Sequence, residues 1–139
     1  MADNTVSDRR YGSRYDDTKH ITDLNTLAER MLSDWALLDS RDCDAAGVPI
    51  ELQVRLYGPR FMEVIAWGLK DADVFLRSAP GPLNQTGEQY RRQIDQFIQS
   101  YGWLSRAPQN DRRFFFRVVF VGEREWRSPE FYEPIVTIL

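Results

Sequence analysis

The sequence predicts a single α+β domain, with about three helices packed on a small antiparallel sheet behind a disordered N-terminal tail. Three observations lead there. Three stretches repeat apolar residues at helical spacing. The run Phe114-Phe115-Phe116-Arg117-Val118-Val119-Phe120-Val121 has the aromatic and β-branched composition of a strand and stops at Gly122, while Pro134-Ile135-Val136-Thr137-Ile138-Leu139 ends the chain in the same manner. Residues 1–19 hold almost nothing to bury: two Tyr, a Val, an Ala and Met1 among Asp, Arg, Ser, Asn and Gly.

In chain order, the tail comes first. It contains Arg9-Arg10-Tyr11-Gly12-Ser13-Arg14-Tyr15, in which one helical turn would bring Tyr11 and Tyr15 to one face beside arginines. A segment with aromatic anchors and arginines suits folding onto a partner. The domain proper is expected over 20–139. Leu24, Leu27, Ala28, Met31, Trp35 and Leu38 form one apolar stripe, so a helix is predicted over 22–40. Thr22 or Thr26 is the expected cap, Thr26 with Glu29 making a capping box. Asp, Ser and Gly accumulate between 39 and 47 and should end it.

Ile50-Glu51-Leu52-Gln53-Val54-Arg55-Leu56-Tyr57 alternates apolar and polar residues, which predicts a strand over 50–57. Pro49 leaves a short helix as the competing reading. After Gly58-Pro59, the residues Phe61, Val64, Ile65, Gly68, Leu69, Ala72 and Phe75 or Leu76 follow helical spacing. With Pro59 in a first turn, they predict a helix over 59–77. Ser78-Ala79-Pro80-Gly81-Pro82 is a turn. Thr86-x-x-Gln89 reads as a capping box. Tyr90, Ile94, Phe97, Ile98 and Tyr101 line one face of a helix over 87–102, with Gly102 placed for a left-handed cap. Strands over 113–121 and 134–139 complete the sheet, and so short a sheet invites completion by a second copy or another chain.

The 139 residues suit one domain that buries roughly two-thirds of its unfolded surface. Met1-Ala2-Asp3-Asn4 lacks the basic and apolar regions of a signal peptide, and no run nears about 18 apolar residues, so no membrane association is expected. Cys43 stands alone, which excludes an intrachain disulfide and fits a cytoplasmic location. A net charge of −3 with both signs dispersed argues against nucleic acid as a partner. Sixteen of the 18 basic residues are Arg, which a GC-rich genome explains more simply than function does.

Few residues offer chemistry. His20 is the one histidine and sits at the edge of the tail, poorly placed for a general base. One His and one Cys cannot fill a zinc or iron coordination sphere, so no metal or other cofactor is expected. Asp39, Asp42 and Asp44 lack calcium-loop spacing. Asp71 and Asp73 are two apart on a predicted helix and do not converge. The loop 80–87 leads into a helix N-terminus, but no phosphate-loop glycine pattern marks it. Arg112, Arg113, Phe114, Phe116 and Arg117 interleave basic and aromatic residues as single-strand nucleic-acid platforms do, yet their apolar density favours a buried strand.

The function expected is therefore a non-enzymatic protein–protein interaction module. It would be a structural subunit, adaptor or inhibitor in a larger assembly, the particle of a phage or virus included, bound to another protein or to a second copy. Tyr11, Arg14 and Tyr15 in the tail are the partner-binding candidates, together with Arg124, Trp126, Arg127, Phe131 and Tyr132 in the aromatic loop 123–134. The alternative is a small-ligand-binding domain, or an enzyme using Asp, Tyr or Arg without a metal.

Overall fold

The computed structural model describes residues 9–38, 50–77, 79, 81–106 and 111–123. Over these residues the chain is mixed α+β. A two-stranded ribbon, a three-stranded sheet and four helices follow in the order β1 (Arg9–Tyr11), α1 (Tyr15–Thr18), α2 (Leu24–Leu37), β2 (Glu51–Leu56), β3 (Phe61–Trp67), α3 (Asp71–Val74), α4 (Gln85–Gln99), β4 (Trp103–Ser105) and β5 (Phe115–Phe120).

Helix α2 buries the expected stripe of Leu24, Leu27, Ala28, Met31 and Trp35. Its cap is neither Thr22 nor Thr26. Asp23 accepts from the Thr26 amide at 2.8 Å and from its hydroxyl at 2.6 Å, and these bonds hold its carboxyl below the usual carboxylate range. Trp35 donates its indole N–H to the Ile50 carbonyl at 2.7 Å, tying α2 to the start of β2. The strand predicted over 50–57 is present as β2, with Leu52, Val54 and Leu56 facing the core.

The helix predicted over 59–77 does not form. Gly58, at φ 82°, turns the chain through Gly58-Pro59-Arg60, and β3 returns antiparallel to β2 with Leu56 opposite Met62 and Glu51 opposite Trp67. Val64, Ile65 and Ala66 are buried in succession on both faces of the sheet, so the run shows no alternation and falls into helical spacing by coincidence. Gly68 at φ 92° ends β3, and within the predicted span 59–77 the single turn α3 is the one helical element.

Helix α4 buries Tyr90, Ile94, Phe97 and Ile98 as its spacing predicts. Its cap lies two residues before Thr86: the Asn84 side chain accepts from the Gly87 amide at 2.8 Å. A side chain at Gly87 would meet the Val74 carbonyl oxygen at 2.4 Å, which is how closely α3 and α4 approach. Gly102 is not a left-handed cap. The helix closes through Ser100 in right-handed geometry, and the chain passes directly into β4.

The three-stranded sheet has the order β2-β3-β5 and is mixed rather than antiparallel, since β5 runs parallel to β3 with Phe61 opposite Phe115 and Ala66 opposite Phe120. The connection from β3 through α3 and α4 makes a crossover that permits this parallel pairing. Residues 134–139, expected as the neighbouring strand, lie outside the described residues. One core joins α2 and α4 to Leu52, Val54, Leu56, Met62, Val64 and Ala66, with Phe116, Val118 and Phe120 packed against it.

Residues 9–19, expected to be disordered, belong to this fold; residues 1–8 lie outside the described residues. β1 pairs antiparallel with β4, placing Tyr11 opposite Trp103, and Thr18 is fully buried. Aliphatic burial is indeed scarce here. The segment is held instead by aromatic rings and arginines, whose apolar surface a count of aliphatic residues overlooks.

Candidate interaction surface

The N-terminal segment docks through its backbone first. The amides of Gly12 and Arg14 donate to the Gly102 and Ser100 carbonyls, both at 2.8 Å. A Cβ on Gly12 would sit 2.3 Å from the Ser100 oxygen, so only glycine allows the approach. The rings then gather. Tyr11 and Tyr15 lie 4.6 Å apart, and both meet Trp103 edge-on at 5.8 and 5.7 Å. The Arg9 guanidinium covers the Trp103 ring at 4.0 Å and grips both oxygens of Asp111 at 2.7 and 2.8 Å. That pair raises the pKa of Arg9 and lowers that of Asp111, in each case chiefly through the side-chain hydrogen bond between them.

Arg113 anchors the segment from beneath. Its guanidinium donates to the Tyr101, Thr18 and Ile21 carbonyls at 2.6, 2.6 and 2.9 Å and to the Thr18 hydroxyl at 3.1 Å, with the Tyr15 ring 5.3 Å away. Burial lowers its pKa, the cost of desolvating a cation that has carbonyl partners rather than a carboxylate. The sequence placed Arg113 beside a buried strand without a partner for it; the fold embeds its guanidinium among these carbonyls.

Beside this cluster is an open cleft of about 270 Å³ lined by Arg14, Asp17, Arg30, Asp34, Leu37 and Leu38. The Arg14 guanidinium stacks over Phe97 at 4.8 Å and bonds to the Ser100 hydroxyl at 3.1 Å. On the inner side, the buried Tyr101 donates its hydroxyl to Asp34 at 2.5 Å, and Arg30 donates to the same carboxylate at 3.0 Å. Burial, then the hydrogen bond to Asp34, pushes the Tyr101 pKa up, so its hydroxyl remains a donor and does not serve as a base near neutrality. Leu37 projects at the rim and is 80% exposed, and Tyr11 is 49% exposed.

The structure thus brings together Tyr11, Arg14 and Tyr15, three of the residues singled out from the sequence. Arg124, Trp126, Arg127, Phe131 and Tyr132 lie outside the described residues, as does Cys43. His20 is exposed after α1, and Asp71 clasps Glu123, accepting from its amide at 2.8 Å. Sequence reasoning missed Trp103, Asp111, Asp34 and Tyr101 as members of this surface. Trp103 directly after Gly102 was the available signal, since a large ring following a helix end must pack on something. The chain matches no family model, no curated protein and no solved structure. Among the described residues, no helix is long and apolar enough to cross a membrane.

Proposed function

We propose that the protein is a protein–protein interaction module, a subunit, adaptor or inhibitor that works without catalysis inside a larger cytoplasmic assembly. The observation that supports this most is the surface running from Tyr11 over Arg14 to Leu37. It combines a half-exposed tyrosine, an arginine held in place by stacking, and a leucine almost wholly in solvent. Tyr and Arg dominate interface hot spots, and an anchor fixed before binding loses little entropy on contact. A cleft of about 270 Å³ is small for a drug-sized ligand, and its open form suits one or two side chains of a partner.

The test is copurification from the native source, quantified by mass spectrometry, with wild type, Leu37→Asp and Tyr11→Ala as baits. Both variants should keep the wild-type melting temperature to within a few degrees. Each should lose an associated protein that the wild type retains, with a binding cost of about 2 kcal/mol for a hot-spot residue. Equal retention of every associated protein by folded Leu37→Asp and Tyr11→Ala contradicts the proposal.

A further inference from the structure

The second face of the three-stranded sheet, opposite the core, is built in rows that the register defines. Tyr57 follows β2, and its amide donates to the Phe61 carbonyl at 2.9 Å; Phe61 is paired in turn with Phe115. Three aromatic residues on three adjacent strands therefore lie side by side. Tyr57 is 41% and Phe61 36% exposed, their rings 6.2 Å apart, and Phe115 is half-buried. The next row is Arg55, Glu63 and Arg117. Arg117 grips Glu63 at 2.7 Å, while the Arg60 guanidinium sits 5.5 Å from the Phe115 ring. Around the rings, three arginines face one glutamate, so the patch is cationic although the chain carries −3. This is not the platform suggested by Phe114 and Phe116, which turn towards the core; the rings turned outward are those of the opposite parity.

We infer that this row is a stacking platform for single-stranded nucleic acid. Unpaired bases stack on Tyr57 and Phe61, while Arg60, lying over the Phe115 ring, and Arg117 contact the phosphates beside them. The chemistry matches each half of the ligand. Aromatic faces on a sheet accept any base, and arginines beside them neutralise the backbone. An apolar protein partner would not call for the cations, and an acidic peptide would not call for three adjacent rings, of which Tyr57 and Phe61 meet edge-on at 66°.

The test is fluorescence anisotropy with labelled oligothymidylate and oligouridylate of about 12 nucleotides at low salt. Binding is expected in the range of about 1 to 100 µM, weakening as salt rises with a log–log slope of about −1 to −2. Phe61→Ala should weaken it about tenfold and Phe61→Tyr should restore it, since both keep the backbone pairing and only the second keeps a ring. Arg60→Ala should flatten the salt slope. No binding at about 200 µM protein overturns the inference. So does binding that folded Phe61→Ala leaves unchanged, or that polyglutamate displaces as readily as an unlabelled oligonucleotide, which would assign the patch to acidic protein.

Discussion

At the scale of single residues, a few polar side chains hold the N-terminal segment to the domain. Arg113 donates to three carbonyls, those of Thr18, Ile21 and Tyr101. Arg113→Ala should cost about 2–4 kcal/mol in urea unfolding, and Arg113→Lys should recover only part, because an ammonium lacks the planar fork. Two groups give opposite pH signatures. The Asp111 carboxyl is depressed in the fold, so its contribution is complete above the unfolded value near 4 and is lost as pH falls through the folded one. Asp111→Asn should therefore flatten stability on the acid side. The Tyr101 hydroxyl is raised, so its contribution is complete below the unfolded value near 10 and is lost only as pH rises through the folded one. In an absorbance titration Tyr101 should ionise in a step above the ordinary tyrosine range, and Tyr101→Phe should remove that late step. None of these partnerships was legible in the sequence. Arg113 and Thr18 are 95 positions apart, and nothing local marks either for the other.

At the scale of elements, legibility followed exposure. Helices α2 and α4 have one wet face, so their 3.6-residue period survives in the sequence, and β2 has one, so its alternation does. Strand β3 is covered on both faces at Ile65 and its neighbours, which erases the period of two. Pro59 added to the confusion: it reads as a helix start but occupies the turn that Gly58 opens. Caps were displaced for a related reason. Asp23 and Asn84 cap as well as threonine does, and only their bonds to Thr26 and Gly87 show which residue serves. The N-terminal ribbon was misread because its burial is aromatic and cationic. Gly12→Ala should release that ribbon, since a methyl has no room beside Ser100. The expected signs are altered Trp103 fluorescence and faster tryptic cleavage after Arg9, Arg10 and Arg14, with α2 and α4 still folded by circular dichroism.

For the whole molecule, the fold class was legible and the topology was not. Composition and three stretches of helical spacing pointed to α+β, although the second of them proved to be β3 and the turn α3. The parallel pairing of β5 with β3 depends on a crossover that becomes visible only once 61–67 is known to be a strand. The candidate site was half legible: Tyr11, Arg14 and Tyr15 were marked by composition, whereas the ring of Trp103 and the cleft around Asp34 required the fold. The result is a domain whose N-terminal segment is already in place before any partner arrives, presenting Tyr11, Arg14 and Leu37 together. Hydrogen exchange of the free protein tests that claim most directly. The amides of Gly12 and Arg14, bonded to the Gly102 and Ser100 carbonyls, should exchange orders of magnitude more slowly than an unstructured peptide. Exchange at the rate of an unstructured peptide would show that the surface does not exist in the free protein.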